Sequence, residues 1–383
     1  MTICIDIRNL AQKQHSGIGV YTMNLINNLL KIDQKNQYKL FYNSKKYQLI
    51  KTYYKNVKYY DFHKSNRLLN LTMFLFNYPK INKIIGDCDV FFAPNINFFA
   101  LDFNNKKIKK IITIHDLSFV FFKKFYSPKS ILWHNIFINI KRILNKFDYI
   151  ITVSENTKND LIKYFNISEN KIATAYLGVE QIVSSTLKKE TLKPQIRKEI
   201  LDVKMPYLLN INTIEPRKNI EGIISAFTLL KEKKEYQNIN LIIAGGKGWN
   251  SKYIYKILEK NKFKNNIKVF DYINNDEKEY LYNNAKIFLF PSFYEGFGLP
   301  IIEAQSRGIP VVTSANSSLS EISGNNVIFI NPHNINEILF AIQELLGNKD
   351  FYELSKKNGL ENSKKFTWEK CARETLKIIE RNS

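Results

Sequence analysis

Short apolar runs alternate with stretches of helical spacing along the chain, and the rhythm starts twice. Ile3-Cys-Ile-Asp-Ile7, Tyr38-Lys-Leu-Phe-Tyr42, Val90-Phe-Phe92, Ile111-Ile-Thr-Ile114 and Tyr149-Ile-Ile-Thr-Val153 have the length and composition of strands. Between them apolar residues return at helical intervals, as from Val20 to Leu30. The second series runs through Tyr207-Leu-Leu-Asn-Ile211, Leu241-Ile-Ile-Ala244, Ile267-Lys-Val-Phe270, Ile287-Phe-Leu-Phe290 and Pro310-Val-Val-Thr313. Strands alternating with helices predict parallel sheets covered on both faces, hence an α/β chain of two doubly wound domains with a cleft between them. Ligands then belong at the carboxyl ends of the strands. The polar stretch between Glu180 and Met205 reads as a hinge, giving domains at 1–185 and 206–365, a linker at 186–205 and a final helix from Phe366 to Ile379.

A length of 383 residues suits two domains better than one core. Cys4, Cys88 and Cys371 are odd in number and lack metal-ligand spacing, which argues against a disulfide framework and points to a reducing cytoplasm. Met1 to Ile7 leads directly into a strand pattern with no targeting segment, and no apolar run approaches the roughly 20 residues a bilayer span needs. The net charge of +22 is uneven. Residues 1–180 hold 27 basic and 12 acidic residues, or +15, whereas 181–383 hold 30 and 23, or +7. Two readings stand: a compositional bias that gives a lysine-rich solvated face, or attraction to an anionic membrane worth up to ~1 kcal/mol per basic residue. Nucleic acid is not an expected partner, since there is no RNA-binding motif, helix-turn-helix signature or basic tail.

The most informative segment is Phe290-Pro-Ser-Phe-Tyr-Glu-Gly-Phe-Gly-Leu-Pro-Ile-Ile-Glu303, a glycine-bearing turn between an apolar strand and an apolar helix. Helical spacing runs from Leu299 through Ile301, Ile302, Ala304 and Ile309, with Pro300 suited to the first helical position. Gly296 and Gly298 remove β-carbons that would hold a ligand away, so N–H groups at the helix start can face an anion. An ordinary strand-to-helix connection uses glycines too; the carboxylates carry the distinction. Glu303, beside a diphosphate, is better placed to accept hydroxyls from a ribose, and Glu295 sits where an attached sugar would lie.

With these two carboxylates the segment resembles the Glu-x7-Glu motif of the retaining, nucleotide-sugar-dependent glycosyltransferases of family four, in particular the mannosyltransferase-like group of bacterial surface-polysaccharide enzymes. The resemblance spans nearly the whole chain. Asn212-Thr-Ile-Glu-Pro-Arg-Lys-Asn219, Ile243-Ala-Gly-Gly-Lys-Gly-Trp249 and Val269-Phe-Asp-Tyr-Ile273 are similar to its donor-domain segments, and Ser16-Gly-Ile-Gly-Val-Tyr21, Thr113-Ile-His-Asp-Leu117 and Val153-Ser-Glu-Asn-Thr157 to its N-terminal ones. Asn212 and Asp271 replace glycines usual in the family. The resemblance implies the GT-B fold, two Rossmann-like domains facing a central cleft, with the last helix, about 366–383, returning to the first domain. It also implies a donor site of Gly17, Gly19, Arg217, Lys218, Tyr272, Ile273, Glu295, Gly296, Phe297, Gly298, Leu299 and Glu303, with Tyr272 and Ile273 against the nucleobase and Lys218 on the phosphates.

Among residues weighed for chemistry, His115 closes an apolar strand and so faces the expected cleft; the resemblance implies contact with the transferred sugar. His15, His63, His134 and His333 lack such context and read as surface or packing residues. Arg217 and Lys218 follow Pro216 and would clamp a diphosphate, neutralising charge on the leaving group. Gly17 and Gly19 form an incomplete dinucleotide fingerprint, which excludes a nicotinamide reading. Asp87-Cys-Asp89 precedes a strand, at the end away from the expected cleft, and no metal is expected. A hydrolase with two carboxylates would leave the cations without an anionic group to serve. The stretch Phe119 to Phe147 interleaves aromatics with Lys123, Lys124, Lys129, Lys141, Arg142 and Lys146, either packing on its own sheet or helping to receive a lipid-linked acceptor at a membrane.

The expected catalytic set is therefore Glu295, His115, Arg217 and Lys218, with no cofactor and with the nucleotide diphosphate sugar as substrate. The resemblance implies hexose transfer with retention, GDP-mannose being the first donor and a UDP-hexose the second. The acceptor is a glycan or polyprenyl-linked glycan of a surface polysaccharide such as O-antigen, capsule or lipopolysaccharide, and the enzyme is cytoplasmic and peripheral on an anionic membrane. A nucleotide-sugar epimerase of the same fold, needing no acceptor, and an inactive glycan-binding scaffold are the alternatives.

Overall fold

The structure, a computed structural model, describes residues 1–11, 17–44, 54–102, 107–126, 132, 139–180, 196–325 and 327–382. It separates into two compact units: Met1–Phe119 with Pro128–Gly178 and Thr367–Ser383, and Val120–Ser127 with Val179–Phe366.

The first unit is a seven-stranded parallel sheet of β1 (Thr2–Asp6), β2 (Gln37–Tyr42), β3 (Val57–Asp61), β4 (Val90–Ala93), β5 (Lys109–Ile114), β6 (Tyr149–Thr152) and β7 (Ile172–Thr174), in the order β3-β2-β1-β4-β5-β6-β7. The second is a six-stranded parallel sheet of β8 (Tyr207–Ile211), β9 (Asn240–Ala244), β10 (Ile267–Phe270), β11 (Ile287–Phe290), β12 (Val311–Ser314) and β13 (Ile328–Ile330), in the order β10-β9-β8-β11-β12-β13. In both, the order reverses beside the first strand, at β1/β4 and at β8/β11, the topological switch point of a doubly wound sheet.

Burial on both faces explains the apolar runs. In the second unit Leu208, Leu241, Ile243, Ile287 and Leu289 point into one core, and Tyr207, Leu209, Ile242, Phe288 and Phe290 into another. Successive side chains alternate sides, so a strand between two cores is apolar at nearly every position; Asn210 in β8 is a buried exception, and its Nδ2 donates to Leu289 O at 2.8 Å. The strands that the apolar pattern does not mark, β3, β7 and β13, lie at sheet edges and are only partly buried. Their sequences, such as Val57-Lys-Tyr-Tyr-Asp61, are correspondingly mixed.

Several expectations need correction. Residues 120–126 belong to the second unit, not to a domain ending at 185. Their rings pack there: Phe125 stacks on Phe293 with centroids 5.2 Å apart, Phe121 and Phe122 meet Tyr294, and Tyr126 meets Trp249. These aromatics therefore pack neither on the first sheet nor as a free face. Lys129, with the rest of 127–131 and 133–138, lies outside the described residues. The described part of the expected linker, 196–205, is integrated: Ile200 and Val203 are buried in the second core, and Arg197 donates to Glu277 at 2.7 Å. The helix after the glycine turn is Leu299–Gln305, with Pro300 as its second residue, and Ile309 lies beyond its end. The terminal helix is Trp368–Arg381, capped by Thr367 and assigned to the first unit.

Candidate active site

The switch point of the second unit lies between neighbours β8 and β11, and the loops leaving their carboxyl ends carry two of the singled-out motifs. After β8 the chain makes a single 3-10 turn, Pro216–Lys218, which Pro216 opens with its preset φ. Asn219 closes it at φ 55°, a left-handed conformation asparagine tolerates, and its side chain accepts from Gly222 N to start the helix Ile220–Lys231. Arg217 and Lys218 are thus held consecutively at the strand end. After β11, Gly298 turns the chain at φ 102°; a β-carbon there would be strained and would meet Leu319 Cδ2 at 2.9 Å.

The loops interlock. Phe293 N donates to Arg217 O at 2.9 Å. Arg217 Nη1 donates to Tyr294 O at 2.7 Å and to Glu295 Oε2 at 3.1 Å, while its Nη2 lies 2.8 Å from Glu215 Oε1. Lys218 Nζ donates to Glu295 Oε1 at 2.6 Å and stands 5.6 Å from the centre of the Phe290 ring. All four charged side chains are buried, with residue exposures of 2% for Glu215 and 7–8% for the others. Two cations and two carboxylates balance, so the cluster is neutral as it stands. Burial pushes the Glu295 carboxyl up, but the Lys218 and Arg217 cations outweigh it and hold the group below its ordinary value. Burial, with Arg217 alongside, pulls the Lys218 ammonium down despite the carboxylates.

The loop after β12 completes the frame. Glu295 N donates to Ser317 Oγ at 3.0 Å, and the Ser318 hydroxyl lies 2.9 Å from the carbonyls of Glu295 and Phe297. After β9, a β-carbon on Gly245 would fall 1.8 Å from Asn212 O, so this glycine lets the β8 and β9 loops touch. Asn212, at the end of β8, has an Nδ2 that is buried without a partner in the structure.

The remaining donor-site expectations scatter within this unit. Glu303 is engaged by Lys278 Nζ at 2.8 Å and Tyr282 Oη at 3.1 Å, not by the Arg217–Lys218 pair. Ile273 is buried in the apolar core, whereas Tyr272 is half exposed, with its carbonyl accepting from Arg197. Gly296 and Phe297 are buried in the loop, and Leu299 opens its helix. Glu215, Tyr294, Ser317, Ser318, Lys278 and Tyr282 carry the geometry without having been singled out. Glu215 was within a quoted motif; the two serines follow a strand end, which was the available signal.

In the first unit, His115 Nε2 lies 2.8 Å from Pro94 O, so this nitrogen carries the proton and donates. Burial lowers the imidazole's pKa, leaving it neutral with Nδ1 as the acceptor. Tyr21 packs its ring edge-on against His115, with centroids 4.7 Å apart, and its hydroxyl lies 3.1 Å from Thr113 Oγ1. Two N-terminal motifs therefore form one cluster. Gly17 begins the helix Gly17–Ile32, where a β-carbon would meet nothing within 4 Å, and Gly19 is buried in its first turn. Asp89 accepts from Thr2 N, while Asp87 O accepts from Lys39 Nζ, so this pair supports the amino end of the sheet. His63 is exposed, His333 packs on Phe293, and His15 and His134 lie outside the described residues.

Two parallel doubly wound sheets, with a buried cationic pair at the second switch point, define a two-unit α/β architecture, and its family follows from proteins of similar sequence. Residues 193–362 match "Glycosyl transferases group 1" and residues 15–181 match "Glycosyltransferase Family 4"; the chain belongs to this glycosyltransferase family and is a GT-B enzyme. It is 32% identical over 268 residues to O-antigen chain mannosyltransferase B of Escherichia coli, covering 70% of this chain and 69% of that one. It is 27% identical over 273 residues to the serotype-specific mannosyltransferase WbdA of Escherichia coli, of which it spans only 33%. Among solved structures, a sucrose-phosphate synthase from Thermosynechococcus elongatus superposes with a TM-score of 0.75 at 17% identity over 99% of this chain and 98% of that one. Anabaena HepE, solved with UDP and glucose, gives 0.70 at 13% over the full length of both.

Proposed function

We propose that this glycosyltransferase moves a hexose from a nucleoside diphosphate sugar, with mannose from GDP-mannose as the first reading, to a lipid-linked or oligosaccharide acceptor during surface-polysaccharide assembly. The observation that carries the reading is the buried Arg217–Lys218 pair bound to Glu295 at the β8/β11 switch point. The mannosyl and O-antigen assignment is supported by the relatives named for those roles. A UDP-hexose is the second reading, supported by the structure of HepE with UDP-glucose.

In this proposal the donor diphosphate displaces the Glu295 carboxylate from Lys218 and Arg217. A diphosphate offers more charge and more acceptor oxygens than one carboxylate, and the cations stay buried and paired. As the glycosidic bond breaks, negative charge grows on the leaving diphosphate, where Lys218 and Arg217 stabilise it without reorganisation. No metal is then required for that task. Glu295, released, accepts from the donor sugar's hydroxyls and orients the ring. The acceptor's proton passes to a donor phosphate oxygen on the face the leaving group occupies, so configuration is retained. His115 contacts the transferred sugar, Glu303 the ribose, and Tyr272, half exposed beside the buried Ile273, the base. Action in the cytoplasm at the membrane face is part of the same proposal. Among the described residues no helix is long and apolar enough to cross a bilayer.

The test is a transfer assay with GDP-mannose and UDP-hexoses, followed by NMR of the product anomer. Mannose transferred in the donor's own anomeric configuration is the expected result. Inversion would overturn the mechanism, release of an altered nucleotide sugar without acceptor would indicate an epimerase, and transfer only from UDP-hexoses would move the donor.

A further inference from the structure

The helix Asn66–Phe76 of the first unit has two apolar faces, and only one is covered. Leu69 and Met73, four residues apart, are buried at 3% and 2% exposure. On the other side Leu68, Leu71, Thr72, Leu75 and Phe76 fall at i, i+3, i+4, i+7 and i+8, the spacing of an amphipathic stripe. Leu68 is 60% exposed, Leu71 49%, Leu75 56% and Phe76 72%, and Tyr78 just beyond the helix is 69% exposed. The stripe's hydroxyl is already satisfied, because Thr72 Oγ1 donates to Leu69 O at 3.0 Å. A helix apolar on a face turned to water marks an interaction surface.

Charge identifies what covers it. Residues 62–86 contain Lys64, Arg67, Lys80 and Lys83 and no acidic residue. The nearest counter-charge to Lys80 is Asp102 at 4.0 Å. Met73, Phe74 and Asn77 share a cavity of about 200 Å³ with Arg142 and Lys146, which come from 139–147, also free of acids. Leucine and phenylalanine side chains in a segment whose charged residues are all cations, only Lys80 of them facing an acid among the described residues, match the acyl and headgroup layers of an anionic bilayer. A second copy of the same face would place these cations against each other.

We infer that the outer face of the helix Asn66–Phe76 is a membrane-docking surface that inserts Leu71, Leu75 and Phe76 among the acyl chains of an anionic lipid surface, with Lys64, Arg67, Lys80 and Lys83 on the headgroups. This rests on and deepens the proposed action on a lipid-linked acceptor, and it assigns the inserting side chains to this helix, with Arg142 and Lys146 of the stretch 119–147 beside it.

The experiment is co-sedimentation of the full chain with vesicles of phosphatidylglycerol and phosphatidylcholine, compared with phosphatidylcholine alone. Binding to the anionic vesicles is expected to fall at least about tenfold in the Leu71→Ser, Leu75→Ser, Phe76→Ser variant. These positions are exposed, so folding, followed by circular dichroism, and nucleoside diphosphate binding should stay unchanged. No binding by the wild-type chain, or equal binding by the variant, overturns the inference. A wild-type dimer that the variant renders monomeric overturns it in favour of self-association. Vesicle binding without any nucleoside diphosphate binding would instead count against the donor-site reading alone.

Discussion

The two switch points carry the same ionic device and use it differently. In each unit an acid stands two residues before an arginine after the first strand or at its end: Asp6 and Arg8 beside β1, Glu215 and Arg217 after β8. Arg8 is saturated by its own fold. Its Nη2 donates to Asp6 at 2.6 Å and to Phe98 O at 2.7 Å, and its Nη1 reaches Asn70 Oδ1 and Met73 Sδ at 3.3 Å. At the second switch point one more cation and one more carboxylate, Lys218 and Glu295, have been added. Glu295 comes from a loop 77 residues away and holds both cations. One pair is cross-linking; in the proposed function the other is a cation pair whose internal anion is exchanged for an external one. Topology places both, and the proposal takes the extra Lys–Glu pair as what separates a site from a brace.

Breaking the brace should have the largest effect. Arg8→Ala leaves Asp6 buried without its partner and is expected to cost about 3–5 kcal/mol of stability by denaturant unfolding, with nucleoside diphosphate affinity unchanged in the folded fraction. Loss of that affinity would mean the two pairs are not functionally distinct. Lys218→Ala should do the reverse, lowering kcat/KM for transfer about 10²–10³-fold, the scale of removing one electrostatic stabiliser. Full activity in that variant would make the second pair a brace as well.

The smallest effect is on pH dependence. Burial raises the Glu295 pKa, but Lys218 and Arg217 bring the net value below the ordinary one. A folded value below the unfolded one, about 4.3, gives stability that is present above that pH and is lost as pH falls through the folded value. Wild-type stability should therefore decline more steeply than that of Glu295→Gln on acidification below about pH 4.3. Parallel curves would remove the ion pair from the account.

How much of this was legible follows from what periodicity records. A strand between two cores, such as Ile287–Phe290, appears with the expected limits because burial on both faces leaves no exposed polar position. Edge strands β3, β7 and β13 bury less and blend into loops. Arg217, Lys218 and Glu295 were legible as residues with chemistry, because strand ends in such sheets point to the ligand side. That both cations would be bound to Glu295 was not, since pairing across 77 positions leaves no mark in local spacing. Nor could the destination of Phe121, Phe122 and Phe125 be read: an aromatic run specifies burial but not the surface that provides it.

The most direct test of the exchange is calorimetric titration of GDP and UDP into the wild-type chain and Glu295→Gln, in EDTA. With the internal carboxylate neutralised, the cations no longer have to be released before the ligand binds, so a diphosphate should bind the variant about tenfold more tightly than the wild type, about 1.4 kcal/mol. Unchanged or weaker binding by the variant would contradict the exchange, and no binding by either protein would contradict the donor site itself.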